Sequence, residues 1–277
     1  MRSPEISGGA GFTLEAQIGA LYLAGLLTCS AAPGVSDAQV TRVAFQQSGH
    51  GEPLDDLIVD GKLADGSSQR VSLQIKSTLK VGAGPTNGDF REIVHNSWAT
   101  LQKPSFRVGI DGFGGAVANI SGAKLRALTT VCERARNTSS ASDFLQGPGG
   151  AESWSGAQAT ALLSLKNLLE EVAEGDLLDA DLHGFCAHFV IIKLDVLQEP
   201  ASDRARTIAQ LKSSLSEGSA PALFSKLVEI ADTAANVAGS LERKTLLARL
   251  SRGFSFANST AAATAASTLN DIEKCSI

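Results

Sequence analysis

Between residues 12 and 27 the chain is apolar at nearly every position, directly after the glycine-rich stretch Gly8 to Gly11, which predicts a buried helix. Alternation of apolar and polar positions then predicts strands over 40–45, 57–63 and 70–77. The polar turn Asp65-Gly66-Ser67-Ser68 would join the second and third into a hairpin. A helical period returns over 87–101, where Phe90, Ile93, Val94, Trp98 and Leu101 share a face behind a capping Asn87 or Asp89. A fourth strand is expected over 106–110, a helix from Ser121 to Arg136, and a Ser/Gly-rich loop over 137–150. A long helix over 155–174, a strand over 188–196 and a helix over 202–215 complete the alternation. Strands interleaved with helices define an α/β class over the first two-thirds of the chain. From about Gly218 onward no strand is expected. A helix over 224–237 carries the stripe Leu227, Ile230, Ala231 and Ala234, suited to packing on a neighbouring domain or protomer, and 259–268 is Ala/Ser/Thr-rich.

Against that pattern a few polar side chains stand out. Glu15 has Ile18, Gly19 and Tyr22 at i+3, i+4 and i+7, so a carboxylate lies on a packing face, which is costly unless it is paired or metal-bound. Asp55 and Asp56 lead into the apolar strand Leu57-Ile58-Val59. In the run Val71 to Ser77, Gln74 and Lys76 point to one face while Leu73 and Ile75 point to the other. Taken singly, each has a plain structural explanation: a turn acid, a capping glutamate, a lysine whose stem lies along apolar surface. In the order helix glutamate, strand aspartate, then Gln-x-Lys, they are the oxygen donors and cation that metal-dependent phosphodiester hydrolysis requires.

Composition narrows the partners. The 277 residues carry a net charge of −5, with the acidic excess in 111–199, which argues against tight non-specific nucleic-acid binding by a single copy. No apolar run approaches the roughly 18 residues of a membrane span, and no signal-peptide core follows Met1, so a cytoplasmic protein is expected. Cys29, Cys132, Cys186 and Cys275 are scattered without metal-site spacing and are expected to be reduced. His183, Cys186 and His188 flank an apolar run and read as core packing rather than zinc ligands. No phosphate-cradling loop ends in Gly-Lys-Ser/Thr. Arg243, Lys244, Arg249 and Arg252 mark a basic helix over 241–250, read as a solvated face.

The segment from Gly8 to Leu27, then Asp55 to Val59, then Leu73 to Lys76, resembles the PD-(D/E)XK restriction-endonuclease-like superfamily. The likeness is to the double-stranded DNA endonuclease effector domains of bacterial anti-phage defence proteins, STAND-NTPase-fused or CBASS-type. The stretch 98–111, and 182–185 through 191–195, extend it to roughly residues 8–215. The resemblance implies a mixed central β-sheet flanked by helices over 1–215, followed by a helical connector over 216–277. It implies that Asp56 (or Asp55) is the metal carboxylate and that Gln74 occupies the D/E position. The Ile75 carbonyl would be a further ligand, Lys76 would orient the attacking water, and Glu15 would support Mg²⁺ or Mn²⁺ from the helix. Gln74 departs from the pattern, since hard cations prefer charged oxygen. The implied partners are double-stranded DNA, further copies of the chain, and a fused or separate sensor or NTPase. Two alternatives stay open: a nuclease fold kept as a binding or assembly module, and an RNA-cleaving enzyme.

Overall fold

A computed structural model of the chain describes residues 10–35, 38–147, 154, 156–197 and 201–257. The apolar first segment forms helix α1 (Ala10–Thr28). The alternating segments form β1 (Ala38–Phe45), β2 (Leu57–Leu63) and β3 (Ser68–Leu79). β2 and β3 make the antiparallel hairpin, with Leu57 opposite Leu73 and Gly66 at φ 87° in its turn. Helix α2 (Gly88–Leu101) then crosses to β4 (Gly112–Ile120), which lies parallel to β3. Helices α3 (Gly122–Arg136), α4 (Ala141–Leu145), α5 (Gly156–Glu170) and α6 (Asp179–His188) lead to β5 (Phe189–Lys193), parallel to β4. Helix α7 (Ser202–Ser214), β6 (Leu215–Glu217), α8 (Ala220–Asn236), β7 (Ser240–Glu242), α9 (Arg243–Leu250) and β8 (Ser255–Phe256) follow.

The main sheet has the order β5-β4-β3-β2-β1-β7 and is mixed, with parallel pairing on the β3–β4–β5 side and antiparallel pairing elsewhere. Alternation along β3 feeds two cores. Val71, Leu73 and Ile75 pack into a core with α1, α7 and α8. On the other side, α2, α3, α5 and α6 cover Phe113, Val117 and Phe189. The architecture is therefore α/β with helices over both faces of one sheet.

Four expectations are corrected. Residues 106–110 are not a strand. The Phe106 ring lies tilted at 5.4 Å from Phe113 and edge-on at 5.1 Å from His188, and the loop is tied down by Asp111, whose carboxylate accepts from the Arg107 backbone N–H and guanidinium. The strand there is β4, whose glycines hide it from propensity. A methyl group on Gly114 would sit 1.8 Å from the Val190 carbonyl oxygen, so only glycine permits that approach to β5. Within 137–150, the described residues contain helix α4, capped by Ser140 accepting from the Asp143 N–H. The part beyond Gly218 contains strands: β7 pairs with β1 in the main sheet and β8 pairs with β6. The stripe Leu227, Ile230, Ala231 and Ala234 is buried within this chain, in the core shared with α1, so it has no free apolar face to offer a neighbour. The Ala/Ser/Thr-rich 259–268 lies outside the described residues.

Candidate active site

Glu15 projects from α1 one turn before Gly19. At Gly19 the absence of a side chain lets the Phe45 ring approach, since an added methyl would meet it at 2.6 Å. This close approach brings the end of β1 against α1. The next residue, Gln46, adopts a left-handed conformation (φ 49°, ψ 55°), an unfavourable one for a non-glycine residue. Backbone bonds hold the corner: Gln46 N–H donates to the Asp56 carbonyl and Gln47 N–H to that of Asp55. The buried Gln47 side chain fastens it further by donating to the carbonyls of Phe45 and Ala238.

The side chain of Gln46 joins the two carboxylates singled out in the sequence. Its Nε2 donates to Glu15 Oε2 at 3.3 Å and to Asp56 Oδ1 at 3.1 Å. The other oxygen of Asp56 accepts from the Ile75 N–H at 2.7 Å, which fastens the acid across the β2–β3 ladder. Burial, with the charges of Asp56 and Asp55, pushes the Glu15 carboxyl up to about 7, although Lys76 and Gln46 pull it down. Burial likewise raises Asp56 to about 6, against the Ile75 bond, Lys76 and Gln46. Two half-buried acids sharing one neutral amide are short of positive charge.

Gln74 and Lys76 face α2. Gln74 is buried, and its amide is bonded at both ends: Nε2 donates to Glu92 Oε1 at 3.0 Å, while Oε1 accepts from Asn96 Nδ2 at 3.1 Å. Lys76 Nζ donates to Glu92 Oε2 at 2.7 Å and lies 3.6 Å from Asp89 Oδ1. Burial works to lower the Lys76 pKa, but Glu92, Asp89 and Asp56 outweigh it and hold the ammonium above its ordinary value. Lys76 is thus a fixed cation at neutral pH and not a base. It lies close enough to Glu15 and Asp56 to stabilise both as anions.

The five residues expected at the site therefore lie together at one end of the β2–β3 hairpin, in two linked halves. Glu15 and Asp56 meet through Gln46, and Gln74 and Lys76 meet through Glu92. Ile75, between them, gives its N–H to Asp56. Sequence reasoning missed Gln46, Glu92 and Asn96. The signal for the latter two was helical spacing, because Asp89, Glu92 and Asn96 recur at i, i+3 and i+7 on α2. Gln46 carried no such signal.

The donor set suits a divalent ion in one respect and limits it in another. Glu15 and Asp56 offer two desolvated carboxylates whose raised pKa values a cation would relieve. No group of three or more His, Cys, Asp or Glu residues is placed to hold a metal among the described residues, so further ligands would be amide, backbone or water oxygens. The His183, Cys186 and His188 cluster is core: His183 bonds to Thr138 and the Ala135 carbonyl, and Cys186 is buried. His188 Nδ1 donates to the Asp111 carbonyl, while its Nε2 accepts from Gly109 N–H.

Farther along the same face of β3, at Arg70 and Ser72, lies a polar cavity of about 630 Å³. Its cations are paired. Arg42 and Arg70 meet Asp60, Lys103 meets Glu52, and Arg107 meets Asp111. Among the described residues no helix is long and apolar enough to cross a membrane.

No family model matches the chain, and no curated protein matches it. Among solved structures the chain is similar to the Cap4 SAVED/CARF-domain containing receptor of Moraxella osloensis, at 15% identity and a TM-score of 0.45 over 86% of this chain and 46% of that one. It is also similar to the Acinetobacter baumannii Cap4 SAVED/CARF-domain containing receptor with the cyclic trinucleotide 3'3'3'-cAAA, at 11% identity and a TM-score of 0.48 over 85% and 45%. The chain spans less than half the length of these structures.

Proposed function

We propose that this chain is a Mg²⁺- or Mn²⁺-dependent endodeoxyribonuclease domain that cuts double-stranded DNA as the effector of a bacterial anti-phage defence protein. The observation that carries this reading is the pair of half-buried acids, Glu15 and Asp56, joined through Gln46 and fastened to the strand that bears Lys76. Glu15 and Asp56 would hold the metal, which when bound supplies charge neutralisation at the phosphoryl group. Asp56 is oriented by Ile75 N–H, and the permanently charged Lys76 stabilises negative charge building up on the phosphate or its attacking water. Paired cations in the neighbouring cavity leave a single copy poorly equipped to grip a phosphate backbone, which favours an oligomer that adds several weak contacts. Recognition of a trigger falls to a sensor or NTPase part, fused or separate.

One observation favours the competing reading of a binding or assembly module. Both ends of the Gln74 amide are committed to α2, so Gln74 lends no oxygen to the pair of carboxylates, Glu15 and Asp56, that Gln46 joins. The test is conversion of supercoiled plasmid at high protein concentration with Mg²⁺ or Mn²⁺, beside a structured RNA under the same conditions. Wild type should nick and linearise the plasmid, while Asp56→Asn and Lys76→Ala should not. Absence of cleavage together with absence of Mn²⁺ binding would favour the module, and cleavage confined to RNA would reassign the substrate.

A further inference from the structure

Glu92 lies on the helix expected over 87–101 but was not singled out there, yet among the described residues it is the one carboxylate hydrogen-bonded to both Gln74 and Lys76. Its oxygens are divided between them, Oε1 to the buried amide at 3.0 Å and Oε2 to the ammonium at 2.7 Å. Asn96, one turn later on α2, accepts the other duty of the amide by donating to Gln74 Oε1. The Gln74 amide can then take one orientation only, with its nitrogen toward Glu92. Lys76 is set beside it on the same strand face, so one helix residue fixes the spacing of the two strand groups.

Resting on the nuclease reading, we propose that Glu92 is a positioning residue for this site. It supplies from helix α2 the negative charge that strand β3 lacks at Gln74, and it holds the amide and the ammonium in register with Asp56. The side chain is about half exposed, so replacing it leaves the fold in place. A charge moved from Glu92 to position 74 would stay on the same hydrogen-bonded pair, because the Gln74 amide donates to the Glu92 carboxylate.

A charge exchange tests this. Mn²⁺ affinity of the metal-free protein is measured by calorimetry, with plasmid cleavage and the melting temperature as further readouts, for Glu92→Gln, Gln74→Glu and the double variant. Glu92→Gln should weaken Mn²⁺ binding about tenfold or more and slow cleavage to match, with little change in melting. Gln74→Glu alone sets two carboxylates against each other and should lower the melting temperature. The double variant, with the charge moved to the strand, should recover Mn²⁺ affinity to within a few-fold of wild type. Wild-type binding in Glu92→Gln, or a double variant no better than Glu92→Gln, would overturn the proposal. Asp56→Asn separates the two levels. If it abolishes Mn²⁺ binding while Glu92→Gln does not weaken it, only the role of Glu92 falls. If neither variant changes Mn²⁺ binding, the metal-site reading falls with it.

Discussion

Glu15 titrates where a carboxylate ordinarily does not, and this has a definite sign. Its folded pKa of about 7 lies above the ordinary 4.5, so the folded protein holds a proton that the unfolded chain releases between those values. The stability contributed by the protonated form is complete below pH 4.5 and is lost as pH rises through 7. Metal-free wild type should therefore melt progressively lower from pH 5 to pH 8, and Glu15→Gln should remove part of that slope and melt higher than wild type at pH 8. Thermal melts at several pH values in the presence of a chelator measure this. Metal and protons should also compete for the same oxygens. Mn²⁺ affinity is expected to rise from pH 5.5 to pH 8 as Asp56, near 6, and Glu15, near 7, ionise. A calorimetric series across that range that showed flat affinity would separate these acids from the metal. Glu15, Asp56 and Lys76 could be picked out in the sequence because charge on an apolar run is expensive and needs a reason. Gln46 could not, since its importance lies in a left-handed backbone that a glutamine does not advertise. Glu92 and Asn96 were concealed by looking like an ordinary solvated face of α2.

At the scale of elements, period-2 alternation made the β2–β3 hairpin readable to within a residue or two, and the apolar run made α1 readable. β4 was not, because Gly112, Gly114 and Gly115 suppress the strand signal at the places where neighbours come closest. The aromatic and aliphatic residues of 106–110 imitated a strand, although Phe106 serves as a plug over Phe113 and His188. Gly114 is the sharp test of that account. Gly114→Ala forces a methyl into the Val190 backbone at a φ of 152°, and neither side can yield cheaply. A loss of about 3 kcal/mol or more is expected in denaturant melts, with β5 parting from the sheet. By contrast Gly88, which has open space around it, should accept alanine with little effect.

On the scale of the whole molecule, the helices after residue 216 are part of the foundation. Leu223, Phe224, Leu227 and Ile230 of α8 are buried in the same core as Leu14, Ile18 and Leu21 of α1, and β7 closes the sheet beside β1. A chain ending at Ser216 is expected to lose its cooperative melt, and Leu227→Ala should cost about 3 kcal/mol. Periodicity showed that α8 is amphipathic but was silent on where its apolar face would go, since that depends on a contact some 200 residues away. The tie from Gln47 to the Ala238 carbonyl makes the same point at the site itself, because it braces the corner from which Gln46 reaches both acids. A polypeptide is made from one end, so this corner has only its local bonds until Ala238 has been added and has left the ribosome. Until then the hairpin and α1 lack the tie that braces, through Gln47, the corner carrying Gln46. On the nuclease reading, a site braced from 191 residues farther along the chain gains that contact only once Ala238 has joined the fold.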